Sequence, residues 1–174
     1  MKKMLDWLRS SPAIDPRSLR LPASAALDER PLSAQRMVVV DLETSGLNLQ
    51  RDQLLAIGAV VIEDGAIDLS QQFECTLCQP GHRAGASTLI HGIAPSAVAA
   101  GRDPAEALLA FMEFVDDSPL LAFHAPFDQH MLERALRETL GYRLRHPFLD
   151  VAVLAPLLCP VSYTHLTLPT SGLG

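Results

Sequence analysis

A run of β-branched residues that ends in two acids constrains the fold of this chain more than any other feature. Met37 is followed by three valines, and this run leads directly into Asp41-Leu-Glu43. Valine favours strands, and a short continuous apolar run is typical of a buried strand. Side chains alternate along a strand, so Asp41 and Glu43 share one face while Leu42 points to the other. The sequence therefore predicts a buried strand whose end presents two carboxylates on one side.

Two further strands are predicted directly after this one. Residues 53–62 are almost entirely apolar, which predicts a central strand, and Asp64-Gly65 is a strong hairpin signal. Apolar and other side chains mostly alternate between residues 67 and 77, which predicts a half-exposed third strand. The three strands would form an antiparallel meander.

The second half of the domain predicts helices on either side of a fourth strand. Residues 104–115 and 126–140 each carry one apolar helical face, residues 119–123 predict a short strand, and residues 148–158 predict another helix. A helical crossover lets the fourth strand lie parallel to the first. The expected fold class is α/β: a three-layer fold with a mixed sheet, made of the meander plus a parallel strand, and flanking helices.

The 174 residues suit one domain with a short arm. Residues 1–35 form the N-terminal segment, in which residues 1–10 predict an amphipathic helix and the proline-containing remainder is either wrapped on the domain or loose. The domain is expected to span residues 36–160. Residues 161–174 form a separate tail. Its segment VSYTHLTLPT matches one reading frame of a transposase sequencing adapter, so we interpret it as non-native and the domain as truncated.

Charge and composition exclude several classes of protein. The net charge is −6, which argues against a coat that holds nucleic acid through excess Lys and Arg. Aromatic residues make up only 5% of the chain, too few for a wide base-stacking platform. Three cysteines suit a reducing cytoplasm better than a disulfide framework. No apolar run reaches the roughly 18 residues of a membrane helix, and the first residues lack a signal-peptide pattern, so we expect a cytoplasmic protein with no membrane partner.

A third carboxylate is expected to join the two on the first strand. Asp128 lies in the first turn of the helix predicted from Pro126, directly after the fourth strand. If strands one and four are parallel neighbours, Asp41, Glu43 and Asp128 meet where both strands end, the usual place of ligand sites in such sheets. Their oxygens suit Mg²⁺ or Mn²⁺. The alternative is that all three are ordinary acids at a strand end and a helix start.

Three motifs occur in a recognisable order: VVVDLETSGL at residues 38–47, IHGI at 90–93 and LLAFHAPFDQHML at 120–132. Together they resemble the DEDD-type (DEDDh) 3′–5′ exonucleases, most closely the proofreading branch similar to the epsilon subunit of DNA polymerase III. The resemblance covers residues 36–158 and implies a ribonuclease-H-like fold. It also implies hydrolysis that releases nucleoside monophosphates from single-stranded or frayed DNA 3′ ends, with a DNA polymerase subunit as a further partner.

The resemblance assigns roles to individual residues. In the complete enzyme two ions of Mg²⁺ or Mn²⁺ are implied, with the carboxylates as their catalytic ligands. Leu42 and Thr44 are implied to lie near the terminal nucleotide, and His91 and Phe127 to line its pocket. The metal ligands implied are Asp41, Glu43 and Asp128.

The chain also departs from the family pattern. Ala125 is expected to replace the asparagine of the common His-Asn-x-x-Phe-Asp motif, and no histidine after Asp128 is followed five residues later by an aspartate, the family's third motif. We therefore expect the chain as given to be inactive or nearly so. Two alternatives remain: a non-catalytic nucleic-acid-binding or polymerase-associated module, and an exoribonuclease that trims RNA.

Two other groups of residues allow a functional or a structural interpretation. Cys75 and Cys78 have the spacing of a zinc half-site, but core packing is the favoured interpretation because no second pair follows. The arginine-rich stretch 134–145 is either a phosphate-facing patch or, as we favour, a solvated helix face.

Overall fold

The structure is a computed structural model that describes residues 13–25, 27, 29–79 and 93–158. The described residues form five strands and four α-helices, with short 3₁₀ turns in the N-terminal segment. The strands are β1 (Met37–Thr44), β2 (Leu54–Glu63), β3 (Ala66–Thr76), β4 (Leu120–Ala122) and β5 (Phe148–Asp150). The helices are α1 (Pro95–Ala99), α2 (Pro104–Val115), α3 (Ala125–Leu140) and α4 (Val151–Leu158).

The strands form one mixed sheet with the order β3-β2-β1-β4-β5. β1 pairs antiparallel with β2 over its whole length and parallel with β4 through Val38 and Val39. Hydrogen bonds on both sides and side chains buried on the helical face make β1 the centre of the sheet. The predicted mixed sheet, with its meander and its parallel fourth strand, is confirmed.

The prediction of a helix over residues 148–158 is wrong at its beginning. Phe148–Asp150 is a fifth strand that pairs parallel with β4, and the helix starts only at Val151. A three-residue strand has too few positions to show a period of two, and it forms here because the edge of β4 offers unpaired backbone groups. This strand brings Asp150 to the same edge of the sheet as the ends of β1 and β4.

The hydrophobic core lies between the sheet and helices α2 and α3. Val38, Val40 and Leu42 of β1 point into it, and Phe111 of α2 packs against Phe73 of β3 with ring centroids 5.5 Å apart. Each fully buried valine, leucine or phenylalanine side chain contributes about 1.5–3 kcal/mol to the stability of the fold, because its surface is removed from water. The alternation along β1 therefore leaves Asp41 and Glu43 on the opposite face.

The N-terminal segment contacts the domain along the residues that the structure describes. The Asp15 N–H donates to the Leu140 carbonyl at 2.9 Å, and the Ala25 N–H donates to the Asp117 carbonyl at 2.8 Å. The Arg36 guanidinium reaches the Val115 carbonyl at the end of α2. The helix predicted for residues 1–10 and the tail of residues 161–174 lie outside the described residues. None of the described helices combines the length and the hydropathy that crossing a bilayer requires.

Candidate active site

Two of the predicted site carboxylates lie on the face of β1 that points away from α2 and α3. In the β1–β2 register Asp41 pairs with Gly58 and Glu43 pairs with Ala56, so both acids have a small neighbour. A groove of about 500 Å³ opens here, and both acids line it. Asp41 is exposed and Glu43 is half-buried. A ligand can therefore approach both carboxylates from solvent.

Asp128 comes to the same edge from the first turn of α3. Its side chain is only 7% exposed, although it is an acid. The backbone N–H of Leu42, between the two acids of β1, donates a hydrogen bond to its carboxylate. β4 and α3 thus place the third acid beside the end of β1, as the sequence predicts for parallel neighbours.

The pKa of Asp128 reflects its burial and the charges of the two acids on β1. Burial, together with repulsion from Asp41 and more weakly from Glu43, raises the pKa of the Asp128 carboxyl to about 6, against the lowering effect of hydrogen bonds from the Leu42 and Asp128 backbone N–H groups. An opposite charge placed among like charges relieves this repulsion. The site therefore favours a cation, and carboxylate oxygens are the donors that hard divalent ions prefer.

In the observed arrangement, the carboxylates of the three acids do not form a complete metal site. Within residues 13–25, 27, 29–79 and 93–158, no group of three or more His, Cys, Asp or Glu is close enough to hold an ion. Asp128 is held in place by Leu42. Binding of an ion at the three acids would therefore require their side chains to move closer together.

The loop after β1, residues 45–53, is built around the carboxylate of Asp52. Its Oδ1 accepts a hydrogen bond from Ser45 Oγ at 2.9 Å, and its Oδ2 accepts one from the Asn48 N–H at 2.7 Å. A Cβ added to Gly46 would lie 2.5 Å from Asp52 Oδ2, so a larger residue at this position would displace the Asp52 carboxylate. These contacts give one defined shape to the chain that follows the acids of β1.

Arg134 of α3 connects this loop to the helix that carries Asp128. Its Nη1 donates to the Leu49 carbonyl at 2.7 Å, and its Nη2 donates to the Asp52 carbonyl. The sequence alone does not predict the roles of Arg134 and Asp52, because the two residues are 82 positions apart and neither belongs to a local motif. Arg134 thus has a structural role within the arginine-rich stretch.

Replacing Arg134 by alanine is expected to lower the free energy of unfolding by about 1–3 kcal/mol, because two partly buried carbonyls lose a charged donor. Arg137→Ala is the matched control, since Arg137 is exposed on the same helix and most surface substitutions change stability by about 0.5 kcal/mol or less. Urea unfolding of the three proteins measures the difference. Equal stability of both variants would contradict a clamping role for Arg134.

The residues predicted to contact the terminal nucleotide occupy different environments. Leu42 is buried in the core, and Thr44 is 3% exposed with its hydroxyl donating to the Gly46 carbonyl at 2.7 Å. Phe127 is partly buried against the core. His91 lies outside the described residues. Their contact with a nucleotide stays a prediction, and for Leu42 the group that faces the site is the backbone.

The departure from the family motif lies at Phe123 and His124, and the expectation that it lies at Ala125 is wrong. Counted back from Asp128, the asparagine of the His-Asn-x-x-Phe-Asp pattern falls on His124 and its histidine falls on Phe123. His124 has left-handed backbone angles, φ 58° and ψ 49°, a conformation in which asparagine, aspartate and histidine are enriched. The substitution of asparagine by histidine therefore preserves the backbone at this position.

The two cysteines in the described residues are free thiols in structural positions. Cys75 packs against the core, and burial raises the pKa of its thiol. Cys78 Sγ contacts the Ala99 carbonyl at 3.5 Å. These contacts agree with the structural interpretation.

The family of the chain follows from its sequence. Residues 38–158 match the RNase_T family model, described as an exonuclease. The DNA polymerase III subunit epsilon-like protein of Rhodobacter capsulatus is 35% identical over 144 residues, 81% of this chain and 20% of its own length. The DNA polymerase III PolC-type protein of Thermotoga petrophila is 34% identical over 122 residues, 70% of this chain and 9% of its own length. The chain thus spans a fifth or less of the length of these two curated relatives.

Solved structures support the same fold. The zinc-bound form of Escherichia coli exonuclease I with single-stranded DNA superimposes with a TM-score of 0.57 and 17% sequence identity, over 74% of this chain and 31% of that one. At this identity the likeness concerns the fold alone, and it agrees with the five-stranded mixed sheet. On the match of its residues 38–158, the chain belongs to the RNase_T exonuclease family.

Proposed function

We propose that this domain is a 3′–5′ exonuclease that hydrolyses the last phosphodiester bond of DNA and releases nucleoside monophosphates. The observation that carries the proposal is the placement of three acids around the end of β1, where Asp41 and Glu43 act electrostatically on the buried Asp128. Family membership supports the hydrolytic class. The polymerase names of the two relatives support DNA as the substrate and a polymerase subunit as a partner.

Divalent ions, Mg²⁺ or Mn²⁺, are proposed to bind at the three carboxylates. Bound there, two such ions supply Lewis acidity that activates water and stabilises the leaving 3′ oxygen. Asp41 and Glu43 would hold an ion from the strand, and Asp128 from the helix start. Without a cation this site repels phosphate, because the carboxylates face the groove and the chain carries a net charge of −6.

The protein surroundings of the acids would orient the substrate. Gly58 and Ala56 leave room beside the acids, so a sugar-phosphate chain can lie in the groove. We propose that the Leu42 backbone and Thr44 lie near the terminal nucleotide, with His91 and Phe127 at its pocket. We also propose a cytoplasmic location, which the free thiols of Cys75 and Cys78 support.

The test of this function uses one oligonucleotide labelled at either end. With Mn²⁺, a 5′-labelled single strand should shorten in single-nucleotide steps, and a 3′-labelled one should release a labelled nucleoside monophosphate at once. Chelation by EDTA should stop both reactions. An RNA strand of the same sequence distinguishes the exoribonuclease alternative. Binding of DNA without any cleavage, both by the 174-residue chain and by the extended chain defined below, would instead favour the non-catalytic module.

The segment that follows Pro160 is expected to decide how active the domain is. No histidine after Asp128 is followed five residues later by an aspartate. We propose that the histidine and the aspartate of this third motif act as the general base and the fourth carboxylate, and that the parent locus encodes them after Pro160. We define the extended chain as residues 1–160 followed by the residues encoded at the parent locus. It is expected to trim DNA about 10²–10⁴-fold faster than the 174-residue chain, the usual contribution of a general base. Equal rates would show that the three described acids suffice for full activity and that residues 161–174 do not lower it.

A further inference from the structure

We propose that Asp150 is a positioning residue that holds the start of α3, and through it Asp128, in the geometry required for metal binding. The proposal rests on the function proposed above. Asp150 is the last residue of β5 and belongs to none of the three motifs in the sequence. Its role follows from two hydrogen bonds and one unusual backbone conformation.

A single carboxylate oxygen of Asp150 joins two backbone segments. Asp150 Oδ1 accepts a hydrogen bond from the His124 N–H at 3.1 Å and another from the Ala152 N–H at 2.9 Å. The second bond caps the start of α4, as aspartate commonly does at a helix N-terminus. The first bond reaches across to the residue that precedes α3. The bond to His124 is therefore more than a local helix cap, because it ties β5 to the turn between β4 and α3.

The residue held by this bond has a backbone conformation that costs free energy. His124 is the N-cap of α3 and has φ 58° and ψ 49°. Its own side chain makes no capping hydrogen bond. A left-handed conformation in a residue other than glycine persists where surrounding contacts hold it. In the described structure, Asp150 provides such a contact at the His124 N–H, and the exposed Phe123 ring packs against the imidazole with centroids 4.5 Å apart.

The direction of α3 depends on this turn, and Asp128 depends on α3. His124 turns the chain out of β4, so a change in its backbone angles would rotate the first turn of the helix. Asp128 lies four residues further on, and its carboxylate bonds to the Leu42 N–H of β1. Residues that orient a metal ligand without touching the ion commonly contribute 10–100-fold to affinity. Asp150 is thus placed to control where the third carboxylate meets the two on β1.

The first measurement is Mn²⁺ affinity of the 174-residue chain, by calorimetry at fixed pH. Asp150→Ala should bind Mn²⁺ about 10–100-fold more weakly than the parent. Asp150→Asn keeps the Oδ1 acceptor and should bind like the parent. The matched control is Asp103→Ala, which also removes an aspartate that accepts two N–H groups at a helix start, from Ala105 and Glu106, but at α2. It should leave Mn²⁺ affinity unchanged.

A second-site variant separates positioning from general destabilisation. Asparagine adopts left-handed backbone angles more readily than histidine, because its short polar side chain can hydrogen-bond to the local backbone, so His124→Asn should restore most of the affinity lost in Asp150→Ala. If the single variant does not fold, this double variant decides. Affinity in the double variant more than about 10-fold below the parent, or an equal loss in Asp103→Ala, would overturn the proposal.

A measurement without metal keeps the inference distinct from the proposed function. Amide hydrogen exchange at Leu42 reports the bond to Asp128 directly and should become about 10-fold faster in Asp150→Ala, but not in Asp103→Ala. If the parent binds no Mn²⁺, the proposed function fails and this exchange rate decides the role of Asp150. Unchanged exchange at Leu42 in Asp150→Ala would refute it.

Discussion

Asp41→Ala in the extended chain is expected to reduce Mg²⁺-dependent trimming of a 3′-labelled oligonucleotide by about 10³-fold or more. Asp41 is the exposed acid of β1 and lines the groove beside Gly58. Loss of a charged ligand removes several kcal/mol of charge stabilisation in the transition state, and each 1.4 kcal/mol is about tenfold in rate. Because Asp41 is exposed, its removal should leave the fold intact.

The control for this experiment is an exposed acid that does not line the groove. Asp64 lies in the exposed β2–β3 hairpin with φ 52°, a conformation that asparagine also adopts. Asp64→Asn should trim at the parent rate, and circular dichroism should be the same for all three proteins. Trimming by Asp41→Ala at the rate of Asp64→Asn would remove Asp41 from the proposed site.

The part of this site that sequence predicts well is the part set by local periodicity. The alternation along β1 places Asp41 and Glu43 on one face, and the spacing of apolar residues on α3 places Asp128 at the buried side of the helix. Both inferences need only the period of one element and a parallel neighbour. The positions of all three acids agree with them, although their roles stay predictions.

The part that sequence does not predict depends on contacts between distant segments. β5 has only three residues, and its pairing with β4, not its own pattern, makes it a strand. Arg134 clamps a loop that lies 82 positions earlier in the chain. The left-handed angles of His124 and its bond to Asp150 follow from how β5 approaches the β4–α3 turn. Such contacts have no signature in a single sequence.

Asp128→Asn is expected to abolish trimming by the extended chain. In the absence of divalent ions, the same substitution is expected to stabilise the fold near neutral pH. Burial and repulsion from Asp41 and Glu43 raise the pKa of the Asp128 carboxyl from 3.8 to about 6. The charged form is therefore less favourable in the folded chain than in the unfolded chain. This difference corresponds to about 3 kcal/mol, so the neutral amide should increase the free energy of unfolding by up to about that amount.

The sign of the pH dependence follows from the direction of this shift. Because the folded pKa lies above the unfolded value, the stability contributed by the protonated carboxyl is complete below about pH 4 and is lost as pH rises through about 6. Asparagine resembles the protonated acid in shape, and its Oδ1 can still accept from the Leu42 N–H. The gain from Asp128→Asn should therefore be close to zero at pH 4 and reach its maximum above pH 7.

Urea unfolding in EDTA between pH 4 and 8 measures this difference, with Asp64→Asn as the control that should stay within about 0.5 kcal/mol of the parent throughout. A variant that is less stable than the parent at pH 8 would show that Asp128 is not held in a repulsive site. Added Mn²⁺ should then favour the parent: an ion at 100 times its dissociation constant stabilises the protein that binds it by about 2.7 kcal/mol, and the variant has one ligand fewer. If loss of the Asp128 charge stabilises the metal-free fold, and Mn²⁺ restores the stability of the parent relative to the variant, then the carboxylates are arranged to bind the ion. Their repulsion lowers the stability of the chain when no ion is bound.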